Sequence, residues 1–155
     1  ECGLDVVFVI DGSGSVGAVN FRKMLEFVKK LISSLSTTDT QIALLQYSEK
    51  IDIEFRFRRF HTPSDLLDVT NIRYQDGTAT RTATAMQSAV ENLFIPLSRK
   101  NSRKLLIVIT DGLSNSDAIS FSEVTSKANE LGIQRISIGV NVHAIIRILC
   151  ISCDI

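Results

Sequence analysis

The chain has 155 residues, 45% of them hydrophobic, which suits one domain with a single sizeable core. Lys+Arg and Asp+Glu both total 17, so the formal net charge is +0 and no global field favours nucleic acid or an anionic membrane. No apolar run reaches the roughly 20 residues of a membrane span, and Glu1-Cys2-Gly3 leads into a strand-like run rather than a signal peptide, so the sequence reads as a soluble piece of something longer, with no direct membrane insertion by this segment.

The first element, Leu4 to Ile10, is an apolar run of the kind found in a fully buried parallel strand. It stops on Asp11, and Ser13 and Ser15 follow between glycines, which gathers hard oxygen donors at a strand tip. Phe21, Met24, Leu25, Val28, Leu31, Ile32 and Leu35 then recur at helical spacing, and Ser33-Ser34 and Ser36-Thr37-Thr38 end that helix in polar turn residues.

Gln41 to Tyr47 predicts a second strand. Ile51, Ile53, Phe55 and Phe57 alternate with Asp52, Glu54, Arg56 and Arg58 as a third, antiparallel edge strand after a short gap, with the basic run Arg56, Arg58, Arg59 as its solvated face. Pro63 starts a short helix through Leu66 and Leu67. A polar loop leads through Thr78, Thr80 and Thr82 into a helix carrying Met86, Ala89, Val90, Leu93 and Phe94, which Pro96 ends.

Lys104 to Thr110 is another buried strand, and like the first it terminates on Asp-Gly, here Asp111-Gly112. Phe121, Val124, Ala128 and Leu131 form an amphipathic helix with Gly132 as its C-terminal cap, and Ile133 to Val140 is the last clear strand. The predicted fold class is α/β: a doubly wound, Rossmann-like, mostly parallel sheet with one antiparallel edge strand and helices on both faces. Asp11 and Asp111 would share the edge at the carboxyl ends of the strands, where ligands bind in such sheets.

Asp11-x-Ser13-x-Ser15, a threonine-rich loop opening a helix, and Ile-Thr-Asp111-Gly, in this α/β order, resemble the von Willebrand factor type A family and, within it, the inserted (I) domains of integrin alpha subunits. The resemblance runs from about Leu4 to Val140. It implies a metal-ion-dependent adhesion site with Asp11, Ser13, Ser15, Thr80 and Asp111 as metal ligands. Thr80 is preferred because Ala85-Met86 supply the small and apolar residues five and six positions on, and Thr78 is the runner-up.

The implied cofactor is Mg2+ or Mn2+, ahead of Ca2+. Two carboxylates and three hydroxyls leave part of an octahedron to water and to an incoming group. The implied partner is an acidic residue of a protein ligand on a cell surface or in matrix, with Arg81 adding attraction. An integrin beta subunit is implied through the parent chain, and the location is extracellular, within a cell-surface membrane receptor.

Competing readings fit less well. Gly12-x-Gly14-x-x-Gly17 matches a dinucleotide-binding fingerprint, yet the acidic residue expected after the second strand is displaced to Glu49, and Asp11 would face a pyrophosphate. A metal-dependent phosphatase-like hydrolase wants a second nearby acid or a positioned lysine, which Asp11-Gly-Ser-Gly-Ser does not supply. No Gly-x-Ser-x-Gly elbow surrounds Ser13 or Ser15, and His61 and His143, the two histidines, lie beside a polar turn and in the tail. The expectation is a binding module with no catalytic residue, not an enzyme.

The domain is assigned to residues 1–140 and a divergent tail to 141–155. Integrin I domains continue with a helix, a sixth strand and a long C-terminal helix, which the tail does not resemble, so the last strand is expected to be an exposed edge and the chain marginally stable. Asn141-Val142-His143 does not resemble the extra helix of the collagen-binding subgroup, which favours a leukocyte-type or epithelial-cell-binding integrin. Cys2, Cys150 and Cys153 sit at the two ends, where one end-to-end disulfide could form, and Cys150-x-x-Cys153 lacks the context of a redox or zinc motif.

Overall fold

The computed structural model describes residues 3–35, 39–112, 114–115 and 117–140, and the backbone of 147–150. Cys2, Cys153, His143, the Ser36-Thr37-Thr38 helix end and the start of the tail lie outside these.

The sheet is built on β1 (Leu4–Asp11), whose seven residues from Asp5 to Asp11 are all buried. It pairs in parallel with β2 (Thr40–Tyr47) on one side and β4 (Arg103–Thr110) on the other. β5 (Ile133–Gly139) extends the parallel set beyond β4, and β3 (Ile51–Arg58) adds antiparallel to β2. A sixth strand, β6 (Arg147–Cys150), pairs antiparallel with β5, giving the order β3-β2-β1-β4-β5-β6. The mostly parallel sheet and its antiparallel edge at β3 are as expected; β6 is not, and it gives β5 a neighbour where the sequence reading left an open edge.

Strand alternation divides the core between the two faces. Val6, Phe8 and Ile10 pack with Phe21, Met24, Val28 and Ile32 of α1 (Ala18–Leu35). Val7 and Val9 pack with Ala85, Met86 and Ala89 of α3 (Thr82–Ala89) and with Val124 and Ala128 of α5 (Phe121–Glu130). Each large side chain so enclosed contributes about 1.5–3 kcal/mol relative to leaving it in water. A 3-10 turn (Pro63–Leu66) runs into the short α2 (Leu67–Thr70), which packs with α1.

α3 continues through a π-helical segment (Val90–Phe94) into a last short turn, α4 (Ile95–Leu97), so the helix stops one residue past Pro96. Arg56 and Arg59 are exposed, as expected of a solvated face, and the Arg58 side chain is 36% exposed; its guanidinium lies 4.8 and 4.7 Å from the Phe55 and Phe60 ring centroids and donates to Asp68 at 2.6 Å.

At the amino end of the strands, Asp5 is completely buried and bridged by Arg99, whose Nε and Nη2 donate to Oδ1 at 2.9 and 2.7 Å. The Arg99 backbone N–H and the Ser102 hydroxyl donate to Oδ2 at 2.7 and 2.6 Å. The carboxylate is thus paired and hydrogen-bonded, the condition under which a buried charge is tolerated.

Candidate metal centre

At the opposite edge, the order of the sheet reverses about β1: the chain leaves β1 to build β2 on one side and later returns to build β4 on the other. Asp11 and Asp111 therefore emerge from adjacent strand ends, at the crevice where open α/β sheets bind ligands.

Asp11 is fully buried. Its Oδ1 accepts from the Ser13 backbone N–H at 2.9 Å and the Ser13 hydroxyl at 2.6 Å, and its Oδ2 accepts from the Thr110 hydroxyl at 2.7 Å. Burial nevertheless raises the Asp11 carboxyl above its ordinary value; these hydrogen bonds oppose the shift and the nearby charge of Asp111 adds to it. Asp111, half-buried, follows Thr110 directly, and the Thr110 hydroxyl also accepts from the Gly112 N–H at 3.1 Å.

Because Ser13 Oγ donates to Asp11, its lone pairs are left for other contacts. It lies 3.1 Å from Ser15 Oγ, close to the ~2.9 Å edge of an octahedron with Mg–O bonds of ~2.05 Å. Ser13 is buried and Ser15 exposed, so the pair spans the boundary between the strand tip and solvent.

The threonine loop is joined to this tip by backbone. Gly14 N–H donates to Gly77 C=O at 2.7 Å, Gly77 N–H donates to Gly12 C=O at 3.3 Å, and Ser13 bridges Gly77. A Cβ at Gly77 would overlap the Ser48 side chain, which is why the loop passes here on a glycine. Tyr74 stacks on Phe21 with centroids 4.7 Å apart; its hydroxyl donates to Ser13 C=O at 2.6 Å and accepts from Gly17 N–H at 3.0 Å.

Of the loop threonines, Thr80 is buried, while Thr78 is exposed and donates its hydroxyl and N–H to Glu49 Oε2 at 2.6 and 2.7 Å. Arg81 is exposed and follows Thr80 directly. Thr82 lies beneath, its hydroxyl 3.0 Å from the hydroxyl of buried Tyr47. The three glycines of the apparent nucleotide fingerprint have local structural roles: a Cβ at Gly12 would overlap Gln46, Gly14 pairs with the threonine loop, and Gly17 has φ +74.

The donor chemistry fits a hard divalent cation. Two carboxylates from adjacent strand ends, one of them buried and resisting ionisation, gain from a positive charge between them, and the nearby hydroxyls are neutral oxygen donors. Among the described residues no group of three or more His, Cys, Asp or Glu side chains is placed to hold a metal ion, so the candidate set rests on two carboxylates and neutral hydroxyls.

Asn115 and Asp117 belong to none of the motifs legible in the sequence, and Thr110 figures there only as a strand end and within Ile-Thr-Asp111-Gly. A signal was present: α3 begins after Arg81 with no capping side chain of its own, so its amino end needs a partner from elsewhere.

The fold is a doubly wound α/β domain with Asp-x-Ser-x-Ser at one strand end and Thr-Asp at the neighbouring one. The model of the von Willebrand factor type A domain matches residues 5–149, and the chain belongs to that family. Integrin alpha-X of Homo sapiens is 40% identical over 138 residues, 88% of this chain and 12% of that protein. Vitrin of Homo sapiens is 43% identical over 116 residues, 73% of this chain and 17% of that protein. The chain thus spans only a small part of the length of these relatives.

Among solved structures, proximal thread matrix protein 1 from the mussel byssus, in a form described as having a zinc-occupied MIDAS motif, superposes with a TM-score of 0.79 at 24% identity. That match covers 90% of this chain and 38% of that one. It is a likeness of fold.

Proposed function

We propose that this domain is a divalent-cation-dependent adhesion module. Asp11, Ser13, Ser15, Thr80 and Asp111 would hold Mg2+ or Mn2+, and an acidic side chain of a protein ligand would complete the coordination. The observation that carries this reading is the meeting of buried Asp11 with the Ser13 and Ser15 hydroxyls at the end of β1, beside the Thr110-Asp111 end of β4.

A bound cation would supply Lewis-acid attraction for a carboxylate. The residues arrange the rest. Asp11 and Asp111 bring the two negative charges, and the serines and Thr80 bring oxygen donors without further charge. The site as a whole would remain electropositive enough to draw a carboxylate. Exposed Arg81 adds long-range attraction for an acidic partner.

The likeness to integrin alpha-X supports an extracellular setting within a cell-surface receptor, with an integrin beta subunit engaged through the parent chain. Vitrin among the relatives leaves the matrix as a second extracellular setting. The relatives named above, an integrin and vitrin, support binding rather than catalysis.

Calorimetric titration with Mg2+ and Mn2+, followed by adhesion of the immobilised chain to cells and matrix proteins, tests the reading. Cation binding and adhesion are expected to vanish with Asp11→Ala, and adhesion with Thr80→Ala or excess chelator. Adhesion unchanged in chelator overturns it.

A further inference from the structure

We infer that Asn115 and Asp117 are positioning residues that lock the threonine loop to the loop following Asp111, so that the two halves of the proposed cation site keep one geometry. The inference rests on the adhesion-site reading above and concerns how that site is held.

The main chain of Thr80 is gripped on both sides. Its N–H donates to Asn115 Oδ1 at 3.0 Å, and its C=O accepts from the Asn115 N–H at 3.0 Å and the Ser114 hydroxyl at 3.1 Å. Asn115 is the partner of Thr80 in an isolated antiparallel bridge. Holding the amide and carbonyl fixes the direction in which the Thr80 Cα–Cβ bond leaves the main chain, and burial narrows the rotamers open to its hydroxyl.

Asp117 acts one turn further on. Its Oδ2 accepts from Ala83 N–H at 2.6 Å and Thr84 N–H at 3.2 Å, and its Oδ1 accepts from the Thr84 hydroxyl at 2.5 Å. The first residues of α3 have no cap from their own chain neighbourhood, because Arg81 at the cap position has a side chain that cannot accept and makes no capping bond. Asp117 fills that place from 33 residues away in sequence, and its negative charge suits a helix amino end.

The connection has a direction. Asp111 stands at the head of the loop that carries Asn115 and Asp117, and Thr80 stands two residues before the helix that Asp117 caps. A displacement of either loop is therefore transmitted to both a carboxylate and a hydroxyl of the site. Residues that orient first ligands typically affect metal affinity by about 10–100-fold when removed.

The test is a Mn2+ titration of the full 155-residue chain and its Asn115→Ala, Asp117→Ala and Asp117→Asn variants, at a temperature where circular dichroism shows each fully folded in chelator. Both alanine variants are expected to bind Mn2+ about 10-fold or more weakly, with Asp117→Asn, which keeps one acceptor oxygen, recovering part of the loss. Asn115 is exposed, so its variant keeps the test open if Asp117→Ala does not fold. Asp65→Asn, which alters a carboxylate cap at a distant turn, serves as a control expected to retain the affinity of the unaltered chain.

A fall in thermal stability with unchanged Mn2+ affinity in both alanine variants makes the two residues merely structural and overturns the inference. It leaves the cation site standing. Absence of Mn2+ binding by the unaltered chain overturns the site reading, and the clasp with it.

Discussion

The Thr110 hydroxyl donates to Asp11 Oδ2 at 2.7 Å and so ties the carboxyl ends of two parallel strands through a side chain rather than through the sheet ladder. Removing that donor while keeping the shape of the side chain isolates its contribution. Thr110→Val is expected to weaken Mn2+ binding by about 10-fold, since the orientation of Asp11 is loosened. In chelator the same variant is expected to lose about 1–2 kcal/mol of stability, because a buried carboxylate oxygen forfeits a partner. Calorimetric titration and urea denaturation read the two effects separately.

Gly77 gives a second handle on the site. A methyl group there would overlap Ser48, so Gly77→Ala is expected to push the threonine loop away from the Ser13–Gly14 tip. Mn2+ affinity should fall while the core, formed elsewhere, stays intact. Reduced affinity together with unchanged far-ultraviolet circular dichroism is the expected pair of results.

The ion pair at the far end of the sheet predicts a stability effect without a binding effect. Arg99→Ala leaves completely buried Asp5 with only the Ser102 hydroxyl and one backbone N–H as donors. The expected loss is about 3 kcal/mol, toward the low end for breaking a buried pair because the Arg99 side chain is itself 30% exposed. Urea denaturation checks the loss, and Mn2+ affinity of the folded variant is expected to be unchanged.

Asp65 provides a pH signature. Its carboxylate accepts from the Thr62 N–H, the His61 N–H and the Thr62 hydroxyl, and these hydrogen bonds hold its pKa below the ordinary value. For an acid with a lowered folded pKa, the stabilisation is present above the unfolded value of about 3.9 and is lost as pH falls through the folded one. The stability gap between the unaltered chain and Asp65→Asn is therefore expected to be full at neutral pH and to close below pH ~3.9. Carboxyl-detected NMR titration should place Asp65 below the ordinary aspartate value.

Much of this fold is legible in one sequence because strong periodicities coincide with function. β1 is a continuous apolar run, α1 repeats its apolar residues at helical spacing, and Asp11, Ser13 and Ser15 stand at the junction between them. What escapes are features set by contacts between distant segments. Arg58 stays partly solvated, and the stacking of its guanidinium on Phe55 and Phe60 and its pairing with Asp68 are contacts that strand alternation does not announce. The π-helical segment carries no composition of its own.

The same reason hides Asn115 and Asp117. Their partners are Thr80, Ala83 and Thr84, more than 30 residues earlier, and no local pattern pairs them. β6 is not legible in the sequence because a short apolar stretch has no period to distinguish strand from tail. The sequence proposes oxygen donors by motif; the contacts of Asn115 and Asp117 with the threonine loop it does not show.

Asp5 and Asp11 occupy opposite ends of the same strand, and their separation makes the Arg99 pair a datum for the whole sheet. A strand that slid by one residue would move its tip about 3.3 Å and turn every side chain to the wrong face. Arg99 recognises a carboxylate at one position only, so it checks the alignment of β1 against its neighbours far from where that alignment is used. The accuracy with which Asp11 meets Thr110 is thereby set at the other end of the molecule.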